Sequence, residues 1–253
     1  MKYKSIENYN IKKFNRGTIE NNKFFLRLNC KNLNFKDLKI LDVGCGHGSL
    51  CVHMGFKKPE KIIGIDINKN LIEFAKNNLI NNYPDLISII DFKNIQISEL
   101  DEYDFDIIVS KDTFEHIIEL DKVIPEIIKR LKINGKLLLG FGPLYNSFNG
   151  DHYQTKSKIP WGHLIRNEES IIKQLNKKRD DKNKLITIYD LGLNKYSLKQ
   201  YEYLLNNCGL EIIYYKTNIN DHPISKIFSQ ISRINILKEY FTNNIYCILQ
   251  KVN

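Results

Sequence analysis

Apolar and polar positions come in alternating blocks along most of this chain. Short apolar runs at 39–43, 61–66, 89–92, 105–110 and 136–140 carry few charges and suit strands buried on both faces. Stretches of helical spacing lie between them. One short helix ends near Gly55, and in the next Leu71, Ile72, Ala75 and Leu79 recur on one face, with Asn68 placed to cap it. A helix over 121–132 has Asp121 as its expected cap, Pro125 near its first turn, and Asn134 and Gly135 as its stop. Strand and helix alternate from 39 to 140 with short connections, the signature of an α/β fold with a doubly wound, mainly parallel sheet.

The flanks follow other rules. Residues 1–36 are polar with apolar punctuation (Phe14, Ile19, Phe24, Phe25, Leu28) and predict an N-terminal helical segment. After Gly142 the alternation breaks, and 143–196 holds turns, aromatics and one expected helix near 167–178. This stretch reads as a small cap insertion over the strand ends. Ser197 and Gln200 form a capping box for a helix over 198–207, which Gly209 ends before a sixth strand at 210–216. A helical segment at 223–240 leads to a last strand at 245–252. No repeat or low-complexity linker divides the chain, so residues 1–253 are expected to form a single domain, a three-layer α/β/α sandwich around seven strands.

Composition changes this picture little. The 253 residues carry a formal net charge of +9, which raises the question of a nucleic-acid partner. The lysines are spread through every segment, however, and the densest cluster, 177–179, runs directly into Asp180 and Asp181. A solvated helix end explains that cluster, and nucleic acid is not the expected partner. No stretch nears the roughly 18 uninterrupted apolar residues of a membrane helix, so no membrane association is expected. The polar start of the chain carries no apolar signal region. Five cysteines (Cys30, Cys45, Cys51, Cys208, Cys247) lack any Cys-x-x-Cys spacing, which suits a reduced, cytoplasmic setting. The oligomeric state is not set by anything in the sequence.

The chemistry gathers at a glycine loop. Gly44, Gly46 and Gly48 lie between a strand and a helix, where glycine permits a tight turn and close approach of a ligand to the backbone. Asp42 precedes the loop. Asp66 ends the next strand, where a carboxylate can accept both ribose hydroxyls of a nucleotide, and Asp106 begins the fourth strand. A dinucleotide oxidoreductase would need glycine where Ser49 stands.

These residues resemble a known family. The segment LDVGCGHG at 41–48 looks like motif I of the class I S-adenosylmethionine-dependent methyltransferases, and the likeness continues through IGID at 63–66, FDIIVSKDTFEH at 105–116 and LKINGKLLL at 131–139. It covers about 37–142 and, more loosely, 197–252. The resemblance implies a Rossmann-like sheet with its last strand inserted antiparallel, S-adenosylmethionine as cofactor, and a methyl acceptor as partner. It implies that Asp42 helps hold the amino group of the cofactor's methionine part and that Gly44, Cys45 and Gly46 pass under it. Asp66 would bind the ribose, Ile67 would pack on the adenine, and Ser110 would face the methionine part. The family often places an acid after the third strand to meet the adenine amino group; Gln96 most nearly fills that slot here.

Methyl transfer to oxygen calls for a base with a pKa near neutrality, which favours histidine. His116 follows Glu115 just past the fourth strand, while His152 and His163 lie in the insertion; each could instead cap or brace local structure. Tyr145, Tyr153 and Trp161 would line a substrate wall or form the insertion's own small core. Cys45 with His47, and Cys51 with His53, mimic metal-ligand pairs, but the first pair belongs to the glycine loop, and no metal site is expected. The segment after the fourth strand reads Ser110-Lys111-Asp112-Thr113, without the prolines usual in amino-methylating enzymes of adenine or glutamine. No cysteine lies within 106–165 to serve cytosine-carbon methylation. The segment GPLYNSFNGDH at 142–152 is similar to ones in the type 11 group of methyltransferases. The expectation is a small-molecule methyltransferase acting at a hydroxyl oxygen. RNA methylation, or a binding protein that kept the fold without the chemistry, are the alternatives.

Overall fold

The computed structural model of the chain describes residues 2–219 and 223–252. Seven strands form one sheet: β1 (Lys39–Val43), β2 (Lys61–Ile65), β3 (Ile90–Lys93), β4 (Phe105–Lys111), β5 (Leu131–Phe141), β6 (Glu211–Thr217) and β7 (Ile245–Gln250). Their order is β3-β2-β1-β4-β5-β7-β6. The first five run parallel, and β7 pairs antiparallel with both β5 and β6.

The period of two along each strand sorts the core into two clusters. Ile40, Ile62, Ile107, Val109, Leu138 and Ile248 pack on the face covered by α1 (Lys2–Arg27), α2 (Ser49–Gly55) and α3 (Lys69–Asn82). Leu41, Ile63, Ile108, Leu137, Leu139 and Leu249 pack on the other face, with apolar side chains of α4 (Leu120–Arg130) and α7 (Leu198–Asn206). The result is the expected three layers.

Local signals hold at most ends. The Asn68 side chain accepts from the backbone N–H of Asn70 and Leu71 at the start of α3, and Ser197 with Gln200 closes the capping box of α7. α4 departs from expectation. Its N-cap is Glu119, with no side-chain cap bond, so Asp121 is inside the first turn. The helix ends at Arg130 and β5 begins at once, so Asn134 and Gly135 do not stop it. Asn134 instead takes φ 66° within the β5 run and donates its N–H to Lys251 O at 2.7 Å. The Asp106 carboxylate lies at the amino end of β4, away from the rim where ligands bind. It accepts from Lys39 N at 2.9 Å and meets Lys132 Nζ at 3.0 Å.

The stretch between β5 and α7 contains α5 (Gly162–Ile165) and α6 (Glu168–Asn176) around a small cluster of Tyr145, Ile171, Leu175, Ile188 and Leu193. The C-terminal helical stretch divides into α8 (Pro223–Ile231) and α9 (Lys238–Phe241). Trp161 joins these, its ring against Phe228 and Phe241 and its indole N–H on Tyr240 O at 3.1 Å.

Candidate active site

In an open α/β sheet, ligands bind outside the carboxyl ends of the strands where the order reverses. Here that point is β1, between β2 and β4. The glycine loop leaves β1 with Gly44, Gly46 and Gly48 at φ 78°, 53° and 79°, a left-handed run that other residues adopt at a cost. Gly44 N and Cys45 N both bond to Ile65 O, which ties the loop to the end of β2.

Asp66 sits at that end, partly open to solvent. Its two oxygens divide the work: Oδ2 accepts from Gly46 N at 2.9 Å and Oδ1 from Asn68 N at 2.8 Å. Each oxygen keeps a lone pair for a further donor. Ile67, next along, is 78% exposed, and Asn94 Nδ2 bonds to Asp66 O at 3.0 Å. A Cβ built on Gly46 would meet nothing within 4 Å, whereas one on Gly44 would strike the Thr113 side chain at 2.3 Å. The crevice is therefore open beside Gly46, Asp66 and Ile67, which fits a nucleoside. At Gly44 it is floored by Thr113, a residue with no signal in the sequence.

The other expected contacts are placed as follows. Cys45 is buried beneath the loop. Ser110 is buried, and its hydroxyl donates to Val43 O at 2.9 Å. Gln96 opens the short 3-10 turn at Ile97–Glu99, with its backbone N–H on Glu99 Oε2 at 2.7 Å. Asp42 is 1% exposed and accepts from Cys51 Sγ at 3.2 Å. Burial pushes its carboxyl up from 3.8 to about 7, against the opposing pull of Cys51 and Lys111.

That shift gives a testable pH dependence. A folded chain with Asp42 at about 7 holds a proton the unfolded chain has already released. Asp42 thus contributes stability that is fully present below the unfolded value of 3.8 and is lost as pH rises through about 7. The near-isosteric Asp42→Asn variant should flatten this part of the fall in stability between those values. Urea unfolding of both proteins across that window checks it; parallel curves would contradict the assignment.

α1 lies across this end of the sheet. Asn21 Nδ2 donates to Ser49 O at 2.9 Å, and Asn10 Oδ1 is 3.3 Å from His47 Nε2. Between α1 and the ends of β4, β5 and β7 is a cavity of about 840 Å³. Lys13, Arg16, Lys23, Arg27 and Lys111 line it, and Glu20 on the same lining pairs with Lys23 at 3.1 Å and with Arg27 at 3.7 Å. Asp112, Glu115, His116 and His152 also line it.

His116 and His152 come together here, their ring centroids 4.9 Å apart. His116 Nδ1 lies 2.6 Å from Gly192 O and His152 Nε2 lies 3.1 Å from Pro143 O. A carbonyl only accepts, so each of those nitrogens carries a proton; in a neutral ring the other nitrogen, Nε2 of His116 or Nδ1 of His152, keeps the lone pair. Burial, and then His116, hold His152 down at about 4, so it is neutral at physiological pH. Glu115 is 3% exposed; its Oε1 accepts from Gly142 N at 3.0 Å, and Oε2 is buried without a hydrogen-bond partner. Burial, with Asp112 nearby, raises its carboxyl well above the usual range.

His163 is elsewhere. It is 4% exposed, bonded through Nε2 to Tyr145 O at 2.6 Å, and absent from the cavity wall. Tyr145 belongs to the insertion's own cluster, and Tyr153 is exposed. Glu115 is the residue that sequence reasoning undervalued; its signal was its place beside His116 after β4.

Comparison with known proteins shows the family. A family model described as a methyltransferase domain matches residues 34–192, more than half of the chain. The ubiquinone biosynthesis O-methyltransferase of Pelagibacter ubique is 33% identical over 142 residues, 54% of this chain and 55% of that protein. Phosphoethanolamine N-methyltransferase 1 of Arabidopsis thaliana is 32% identical over 126 residues, 49% of this chain and 24% of that protein. The matched stretch thus spans between about a quarter and just over half of these relatives' length. The crystal structure of an S-adenosylmethionine dependent methyltransferase from Mesorhizobium loti superposes with a TM-score of 0.57 over 89% of this chain and 96% of that one. At 11% identity it shows a common fold alone. With its glycine loop, the acid after β2 and the antiparallel β7 all in place, the chain belongs to the class I S-adenosylmethionine-dependent methyltransferases.

Proposed function

We propose that this enzyme methylates a hydroxyl oxygen of a small, anionic molecule held in the cavity between α1 and the carboxyl ends of β4 and β5. The observation that carries this reading is the cavity itself. Its volume of about 840 Å³ suits a small molecule, and its lining brings several cationic side chains together with two imidazoles and carboxyl groups. Bound S-adenosylmethionine supplies an already activated methyl group. The chain's own residues must place the acceptor in line with it, exclude water and remove the hydroxyl proton.

Asp66, Gly46 and Ile67 would hold the nucleoside, with Asp42 and Ser110 below the methionine part. Lys13, Arg16 and Lys111 would draw in an acidic group on the acceptor and orient it. His116 and His152 would stand beside the acceptor's hydroxyl and assist loss of its proton. His163, buried outside the cavity, would act only by bracing the Tyr145 segment. The relatives' names point to small acceptors at oxygen and at nitrogen alike.

The test is an assay with methyl-tritiated S-adenosylmethionine against carboxylated and phosphorylated compounds bearing hydroxyl or amino groups. Label is expected on oxygen of an anionic hydroxy compound. Transfer only to amines, or only to structured RNA, would overturn the proposal.

A further inference from the structure

We propose that Glu115, His116 and His152 form a binding site for one divalent first-row transition-metal ion, which takes the acceptor's hydroxyl as a further ligand. This rests on the reading of the cavity as the acceptor site. One donor atom from each of the three side chains lies within 4.8 Å of the others. With His116 Nδ1 on Gly192 O and His152 Nε2 on Pro143 O, the nitrogen left to ligate a metal in each neutral ring is the other one. Each ring's other nitrogen is already anchored to a backbone carbonyl, the outer-shell arrangement that orients ligating histidines. Glu115 Oε2 is buried with no partner, a state that is costly for a carboxyl oxygen and that a cation would relieve. Asp112, also on the cavity wall, adds negative charge nearby.

The donor set argues for the class of ion. Two imidazoles and one carboxylate, with no thiolate, suit Zn²⁺, Fe²⁺, Mn²⁺ or Co²⁺ over Ca²⁺ and Mg²⁺. Ligands about 2.1 Å from one ion lie roughly 3–3.5 Å apart, so the three side chains would close by about an ångström on binding. Three protein ligands leave positions open, as in catalytic sites. A hydroxyl coordinated there has its pKa lowered by the cation, so its proton is lost to solvent as the acceptor binds, before water is excluded. The freed oxygen pair then forms the new C–O bond as the methyl C–S bond breaks, and the sulfonium leaves as a neutral thioether.

The test is a titration of the chelator-treated 253-residue chain with Co²⁺, followed by visible absorption and by calorimetry. One site per chain is expected, with ligand-field bands of nitrogen and oxygen ligation. Glu115→Gln and His116→Ala should each weaken binding by about 100-fold. His116 is exposed, so its alanine variant keeps the test alive should Glu115→Gln fail to fold. Intense thiolate charge-transfer bands would place the ion at cysteines and overturn the proposal, as would affinity unchanged in His116→Ala. Titration with S-adenosylhomocysteine separates the two readings. Cofactor binding and methyl transfer with no Co²⁺ site sink only the metal proposal, whereas a Co²⁺ site without methyl transfer to any hydroxy compound sinks the oxygen-methylation reading.

Discussion

Replacing Asp66 by alanine should weaken binding of S-adenosylmethionine, and of its demethylated product, by about 2 kcal/mol, roughly 30-fold. Two losses add together. The ribose loses a charged acceptor, and Gly46 and Asn68 lose the carboxylate that fixes the loop to the end of β2. Asp66→Asn keeps one acceptor oxygen for the loop and should fall between wild type and alanine. Calorimetry on the three proteins reads this directly, and equal affinities would remove Asp66 from the site.

The largest stability effect is expected at Arg130, the last residue of α4, which is 1% exposed. Its guanidinium donates to the carbonyls of Leu100 and Ser98 and to the Glu126 carboxylate, and it lies 5.3 Å from the centre of the Tyr103 ring. This one side chain joins the α4–β5 junction to the connection between β3 and β4. Arg130→Ala would leave buried carbonyls unpaired and open a void where the stem packs. The expected cost is about 3–5 kcal/mol. Arg130→Met, which refills the volume, should recover part of it. Urea midpoints of the three proteins check the order; a loss under about 1 kcal/mol, the scale of a surface ion pair, would contradict this account.

Much of the fold was legible because its signals are local. The runs at 39–43 and 61–65, the cap at Asn68 and the box at Ser197 each act within a few residues. The end of α4 was misread for a physical reason. Asn134 and Gly135 are good helix stops, but the chain uses Asn134 for a positive φ inside β5, and tertiary bonds from Arg130 end the helix four residues earlier.

The site divides in the same way. Asp66 and the glycine loop are contiguous units and could be read directly. The seating of α1 on the loop joins Asn10 to His47 and Asn21 to Ser49, pairs that no local pattern links. Likewise, nothing in the sequence distinguished His152 from His163. One turns onto Pro143 O beside His116, and the other is buried against Tyr145 O. Only the packing of the insertion separates them.

The most direct measurement is a crystal structure with S-adenosylhomocysteine. The account predicts both ribose hydroxyls on the Asp66 carboxylate and the adenine against Ile67. A nucleoside bound elsewhere, with Asp66 out of reach of its sugar, would contradict it.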